Sequence, residues 1–255
     1  MAYALVTGAS AGLGLEFAKI LAGKGYDLIL ASRDEVAMRK IAGELKAQHK
    51  ISVEVFPVDL TRVGSAKELF SYCEGHGFTV EILVNNAGVG VHGAFLDHPL
   101  EDLTSMIHLN LITLTELAWL FGRVMKSLNS GYILNVASTA AFLPGPNMAG
   151  YYATKAFVLS LSEALSFEFR NHGINVTALC PGPTRTKFFD RAGMKVTGLK
   201  EFIFAEAEPC AARGIRGVLM GQEVVVDGWI NRSLVFALRF LSRRLAVRVS
   251  SIALR

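Results

Sequence analysis

Seven short apolar runs recur along the chain, at residues 3–7, 28–31, 53–57, 82–84, 132–136, 175–179 and 223–226, and none alternates like a strand with one wet face. Amphipathic segments long enough for helices separate them. A strand that is apolar on both sides must be covered on both sides, and a parallel neighbour is reached only through a long crossover. The pattern predicts an α/β fold built on a doubly wound, mostly parallel seven-stranded sheet with helices on both faces. No linker or shift in composition divides the chain before residue 180. With 51% hydrophobic residues among 255, it reads as a single domain over 1–255 with enough apolar surface for a sizeable core.

The same sequence argues against several functions. No charged leader with an apolar core opens the chain, and no apolar stretch is long and uncharged enough to span a bilayer, so a cytoplasmic protein is expected. Cys73, Cys180 and Cys210 are odd in number, widely spaced and outside any Cys-x-x-Cys or Cys/His cluster, so neither a metal site nor a disulfide framework is expected. The net charge of +4 is concentrated at the end, where Arg232, Arg239, Arg243, Arg244, Arg248 and Arg255 follow Asp227 without a single acid. The residues before them are net negative, which argues against a nucleic-acid-binding domain.

The first apolar run leads into Thr7-Gly8-Ala9-Ser10-Ala11-Gly12-Leu13-Gly14 and a helix beginning near Leu13. Glycines there let the backbone turn tightly and approach a pyrophosphate, which helix N-terminal amides can hold. After the second run, Ser32-Arg33-Asp34 stands where a dinucleotide fold meets the adenosine ribose. An acid at that point accepts from the 2′-hydroxyl of NAD, whereas Arg33 suits a 2′-phosphate and Ser32 leaves room for it. NADP(H) is therefore favoured over NAD(H), while Asp34 is placed to cap the next helix. Asp59-Leu60 follows the third run and suits an adenine edge. Asn85-Asn86-Ala87-Gly88 follows the fourth, at the carboxyl edge where doubly wound sheets bind ligands.

Residues 100–128 read as one long helix, and the strand after it ends at Ser138, thirteen residues before Tyr151. The loop between, with Pro144, Gly145 and Pro146, can fold back to bring the two hydroxyls together. Tyr151 and Lys155 lie four residues apart in a segment that reads as helix, and so share a face. An ammonium there stabilises a phenolate, drawing a hydroxyl with an ordinary pKa of about 10 toward neutrality. Taken alone, such a pair is more safely read as two exposed residues one turn apart.

Thr7-Gly8-x-x-x-Gly12-x-Gly14, Asp59-Leu60, Asn85-Asn86-Ala87-Gly88, Asn110, Ser138, Tyr151-x-x-x-Lys155 and Pro181-Gly182-x-x-x-Thr186 together resemble the short-chain dehydrogenase/reductase family, in its compact single-domain branch. Residues 178–186 look most like bacterial members grouped with 3-oxoacyl and 17β-hydroxysteroid reductases. The resemblance implies a Rossmann-like strand order 3-2-1-4-5-6-7 and hydride transfer between NADP(H) and a carbonyl or secondary alcohol. It implies that Tyr151 exchanges the proton on the substrate oxygen and that Ser138 orients that oxygen. Lys155 would lower the tyrosine pKa and hold the nicotinamide ribose, and Asn110 would connect Lys155 to solvent through a water. Gly8, Ser10, Gly12, Leu13 and Gly14 would wrap the pyrophosphate. Asp59, Leu60, Asn86, Ala87 and Gly88 would line the adenosine side, and Pro181, Gly182, Thr184 and Thr186 the nicotinamide end. Ala11 is a departure: NADP-preferring relatives often carry a basic residue there, and its absence leaves Arg33 as the main visible phosphate contact. The family further implies a homodimer or homotetramer through the helices at 105–128 and 151–170.

Residues 183–207 have no clean period and carry Phe188, Phe189, Met194, Phe202 and Phe204, which reads as a mobile lid over the nicotinamide. With Phe142, Leu143 and Met148 before Tyr151, the lid points to a small apolar carbonyl or alcohol substrate. From Ile230 onward, Leu234, Leu238, Leu241, Leu245, Val249 and Ile252 recur at steps of three and four, predicting a basic amphipathic helix over 230–255. Packing on the body or an oligomer contact ranks ahead of peripheral contact with an anionic membrane. The alternative to catalysis is a non-catalytic NADP(H)-binding sensor or scaffold on the same fold. Such a protein needs the glycine loop but not Asn110, Ser138, Tyr151 and Lys155 together.

Overall fold

The computed structural model describes residues 2–186, 188–194 and 204–253. Strands and helices alternate as β1 (Tyr3–Thr7), α1 (Gly12–Gly23), β2 (Asp27–Ser32), α2 (Glu35–His49), β3 (Val53–Pro57), α3 (Ser65–Gly75) and β4 (Val80–Asn85). They continue as α4 (Leu100–Ile107), α5 (Leu114–Leu128), β5 (Gly131–Val136), α6 (Ala149–Phe169), β6 (Ile174–Cys180), α7 (Phe188–Arg191), α8 (Ala207–Leu219), β7 (Val224–Val226), α9 (Trp229–Leu238) and α10 (Arg243–Ala253). The seven strands form one sheet in the order β3-β2-β1-β4-β5-β6-β7, and every pairing is parallel.

Successive strand residues point to opposite faces, and both faces are dry. Ala4, Val6, Leu28 and Leu30 pack with Phe17 and Leu21 of α1, Met38 and Leu45 of α2, and Ile215 and Val218 of α8. Their neighbours Leu5, Ile29 and Ala31 face the other way, onto Leu69 of α3 and Leu117, Phe121 and Met125 of α5. Burying one such aliphatic or aromatic side chain is worth about 1.5–3 kcal/mol, and the two cores together hold the sheet between its helical layers. The chain leaves β3 at one edge and re-enters the sheet through β4 beside β1. That reversal opens a crevice at the carboxyl ends of β1 and β4, the place where such sheets take ligands.

Two helical expectations are modified. Residues 100–128 are helical throughout, but α4 passes into α5 through a π-helical turn at His108–Thr113. The C-terminal residues form two helices instead of one continuous helix over 230–255. Ser242, whose Oγ accepts from the Leu245 amide at 3.4 Å, starts α10 afresh. The three-and-four stripe is also not the docked face, because Leu234, Leu245 and Val249 are exposed while Val235, Ala246 and Ser250 are buried. Small side chains let α10 come close to the body, and Ser250 Oγ donates to Pro144 O at 2.5 Å. The side chain of Ile252 and residue Arg255 lie outside the described residues, as do Phe202 and much of the expected lid. No helix among the described residues is long and apolar enough to cross a membrane.

Candidate active site

The glycine loop is built by close approach. Gly8 and Gly12 adopt φ of +65° and +58°, in the left-handed region that side chains avoid. Gly14, buried in the first turn of α1, sits so near Gly8 O and Asn86 Nδ2 that no Cβ fits. Ala11 at the head of α1 offers no side-chain cap, which leaves first-turn amides facing the crevice where Ser10 and Leu13 flank them. Asn86 is a clasp: its Nδ2 donates to Thr7 O at 2.8 Å and to Gly8 O at 3.3 Å. Thr7 completes the tie, its Oγ1 accepting from the Asn86 and Ala87 amides, both at 3.0 Å, and donating to Val84 O. Thr7 was visible in sequence only as part of the glycine motif; its hydroxyl locks the β1 and β4 turns together.

At the end of β2, Ser10 Oγ and Ser32 Oγ lie 3.0 Å apart, and Arg33 is exposed beside them. Asp34 caps α2 by accepting from the Ala37 amide at 3.0 Å, as expected. Asp59 accepts from Thr61 N and Thr61 Oγ1 at 3.0 and 2.8 Å. Burial opposes its charge, but those two bonds and the nearby Arg33 and Arg62 guanidinium groups hold its carboxyl below the usual range. Leu60 is buried, and its carbonyl accepts from Thr113 Oγ1 at 2.8 Å, which ties the third strand's exit to the π-helical turn.

Tyr151 and Lys155 lie in the first two turns of α6, and both are buried. Lys155 Nζ donates to Val136 O at 2.7 Å at the end of β5 and lies 5.7 Å from the Tyr151 ring centre. Ser138 follows β5, its Oγ accepting from the Ala140 amide at 3.1 Å and facing the Pro181 carbonyl. Burial pushes the Tyr151 phenol well above its ordinary value, with a hydrogen bond to Ser138 acting against the shift. Burial likewise lowers the Lys155 ammonium to about 8. Burial outweighs the Ser138 hydrogen bond, and the neighbouring Tyr152 adds to the upward shift, so the phenol stays protonated.

Asn110 occupies the π-helical turn, a distortion that recurs at functional sites. Its Oδ1 accepts from the Val89 amide at 3.0 Å, and its Nδ2 donates to Val89 O at 2.9 Å and Thr154 Oγ1 at 3.1 Å. Thr154 in turn donates to Tyr151 O at 2.7 Å. The side chain thus fastens the loop after β4 to the helix that carries Tyr151 and Lys155. Gly88 lies between these groups, where a Cβ would meet Asn110 Oδ1 at 3.2 Å and Lys155 Nζ at 3.5 Å.

After β6, Pro181 O accepts from the Thr139 amide at 2.8 Å, and Thr184 Oγ1 donates to Gly182 O at 3.0 Å. Thr186 folds over the glycine loop, its Cγ2 only 3.0 Å from where a Gly12 Cβ would stand. The described part of the expected lid reaches the site too: Phe188 lies 5.2 Å from the Tyr151 ring, and Phe188 and Met194 pack with Val89, Val91 and Met148 around it. Gly90 was not singled out in sequence, yet a Cβ there would meet Phe188 at 2.8 Å and Tyr151 at 3.4 Å. A buried relay also went unforeseen: Asn85 Nδ2 donates to Asn135 Oδ1, and Asn135 Nδ2 to Ser162 Oγ, both at 3.0 Å. Asn85 and Asn135 end adjacent strands at Asn85-Asn86 and Asn135-Val136, which is the only sequence signal for it.

Comparison with known proteins agrees with this arrangement. Residues 2–196 match the family model described as short chain dehydrogenase. The very-long-chain 3-oxoacyl-CoA reductase of Phaeosphaeria nodorum is 34% identical over 68% of this chain and 52% of its own length. The mouse 17-beta-hydroxysteroid dehydrogenase type 3 is 32% identical over 76% of this chain and 64% of its own. The chain therefore spans about half to two thirds of the length of these two relatives. Among solved structures, a short-chain dehydrogenase from Sphingobium yanoikuyae in complex with NADPH superposes with a TM-score of 0.86 at 32% identity, over 94% of this chain and 93% of that one. A Burkholderia phymatum member in complex with NAD gives 0.81 at 25% identity, over 92% of each. The family match runs from β1 through the Tyr151 helix and the Pro181-Gly182 turn, and the chain accordingly belongs to the short-chain dehydrogenase family.

Proposed function

We propose that the protein is an NADPH-dependent carbonyl reductase, or in reverse an alcohol dehydrogenase, acting on an apolar ketone or secondary alcohol such as a 3-oxoacyl or steroid-like compound. The observation that carries this reading is the burial of Tyr151 and Lys155 together on α6, with Ser138 beside the phenol and Asn110 clasping the adjoining loop. The residues present fit a dinucleotide: the Gly8–Gly14 cradle admits no Cβ at its centre, and the uncapped N-terminus of α1 faces it. Arg33 with the Ser10 and Ser32 hydroxyls suits a 2′-phosphate, which favours NADP(H) over NAD(H).

When bound, NADPH supplies the hydride that reduces the carbonyl carbon. Tyr151, kept protonated by burial, gives its proton to the carbonyl oxygen. Ser138 holds that oxygen and stabilises the charge developing on it. Lys155 is positioned by Val136 O to place its ammonium beside the ribose and to favour the phenolate left after transfer. Val89, Val91, Met148, Phe188 and Met194 keep water from the reacting centre and favour an apolar substrate. Exposed Trp119 and Phe167 on α5 and α6 suit a homodimer or homotetramer, and three buried free cysteines suit a reducing cytoplasmic setting.

Loss of NADPH absorbance across a panel of ketones and 3-oxoacyl compounds tests the reading. Tyr151→Phe is expected to lower kcat by about 10²–10⁴-fold while leaving cofactor binding in place. Equal turnover by the variant would overturn the assignment of the proton donor. Tight NADPH binding without turnover of any carbonyl would support the sensor alternative instead.

A further inference from the structure

The two sides of the α9–α10 segment differ in chemistry. Toward the body lie Val235, Ala246 and Ser250, the last fastened to Pro144 in the loop that precedes Tyr151. The outward side of α9 is aromatic. Trp229, Phe236 and the following Phe240 fall within one stripe at helical steps, and Trp229 and Phe240 are 78% and 77% exposed. The Phe236 and Phe240 rings touch edge to face, 5.4 Å between centres. Leu234 on α9 and Leu245 and Val249 on α10 are exposed as well. Arg232, Arg239, Arg243, Arg244 and Arg248 are interspersed with them in the sequence, all exposed. Among the described residues none of these five arginines forms an ion pair, and no acid follows Asp227 in the chain.

A face that is both aromatic and cationic asks for a partner with an apolar interior and a negative skin. A second copy of this chain is a poor match, because a two-fold contact sets the same arginines against each other with no acid to answer them. Anionic lipid headgroups supply the missing charge, and the boundary beneath them takes Trp and Phe side chains. α9 is far too short to span a bilayer, so the segment lies on the surface and does not cross it.

We propose that α9 and α10 form a docking surface for an anionic phospholipid membrane, with Trp229, Phe236 and Phe240 at the headgroup boundary and the arginines on lipid phosphates. Because α10 is tied to Pro144, the membrane then lies beside the loop before Tyr151. An apolar substrate dissolved in lipid can enter from there; that consequence rests on the reductase reading above.

Co-sedimentation of the full chain with vesicles tests the docking. The protein is expected to pellet with vesicles of phosphatidylcholine mixed with phosphatidylglycerol, to pellet weakly with phosphatidylcholine alone, and to be released as salt rises. Arg239→Gln with Arg243→Gln should weaken binding by about 30-fold. Trp229→Ala with Phe240→Ala, at unchanged charge, should weaken it by about tenfold or more. These residues stand outside the catalytic and cofactor sites, so turnover of a water-soluble ketone by each variant should match the parent and certify folding. Absence of pelleting, equal binding to both vesicle types, or full binding by either variant would overturn the proposal. So would a fall in the sedimentation coefficient of the lipid-free Trp229→Ala/Phe240→Ala protein, which marks the face as a contact between copies. Binding is read without turnover and therefore stands or fails separately from the enzymatic assignment.

Discussion

Lys155 is a charged group held where water does not reach. Burial lowers its pKa from 10.5 to about 8, and Val136 O is its one hydrogen-bonding partner among the described contacts. The unfolded chain keeps that proton up to its ordinary pKa, so between about pH 8 and 10.5 the unfolded state binds more protons and stability rises with pH. Below pH 8 the cost is fully present. Lys155→Met should therefore stabilise the cofactor-free protein at pH 7 by up to about 3 kcal/mol while abolishing turnover, and the gain should shrink as pH approaches the ordinary lysine pKa. Urea unfolding at several pH values reads this directly; a variant that is less stable at pH 7 would mean that the ammonium is compensated. Arg33 offers the opposite case, an exposed charge whose proposed role is to select the cofactor. Arg33→Asp should lower the ratio of kcat/KM for NADPH over NADH by about 10–100-fold, through loss of a charge-assisted bond and repulsion of the 2′-phosphate. An unchanged ratio would remove Arg33 from the phosphate site.

At the scale of elements, α1 is set against β1 by the absence of a side chain. Gly14→Ala drives a Cβ into Gly8 O and Asn86 Nδ2, which are bonded to each other while Asn86 is tied to Thr7, so the turn cannot yield cheaply. The expected result is a loss of about 1–3 kcal/mol in stability and a larger loss in NADPH affinity, read by thermal unfolding with and without cofactor; unchanged affinity would show that the cradle tolerates a wider turn. This contact was legible as a spacing of glycines but not as a contact, because Asn86 arrives from a strand seventy-odd residues away. The strands themselves were legible because each is apolar on both faces, and only their ends move by a residue or two. The π-helical turn was not, since adding one residue to a helix barely disturbs an apolar period over residues 100–128. The break at Ser242 was hidden by a regular leucine stripe that the fold leaves in solvent. That Tyr151, Lys155 and Ser138 come together could be read from spacing; the Asn85–Asn135–Ser162 chain of hydrogen bonds could not, because its members come from β4, β5 and α6.

The whole molecule presents a further apolar surface, distinct from that of the tail. α3, α5 and α6 cover one face of the sheet, and the outer surface of α4, the π-helical turn, α5 and α6 exposes Ile107, Ile112, Trp119, Phe157 and Phe167. Arg123 stacks its guanidinium over Trp119 at 4.8 Å. Here the charge argument runs the other way from the tail: Glu116, Glu163 and Glu168 share these helices with Arg123 and Lys126, so a two-fold contact can pair opposite charges at its rim. An isologous interface uses each aromatic twice, and central aromatics of this kind each contribute about 2 kcal/mol or more. If this face forms the proposed homodimer, Trp119→Glu with Phe167→Glu should raise its dissociation constant by at least about 10³-fold, so that sedimentation velocity finds a dimer for the parent and a monomer for the variant. The melting temperature of the parent should rise with protein concentration and that of the variant should not. A parent that sediments as a monomer at every concentration would refute the interface. A variant that stays assembled would move the contact elsewhere on the surface.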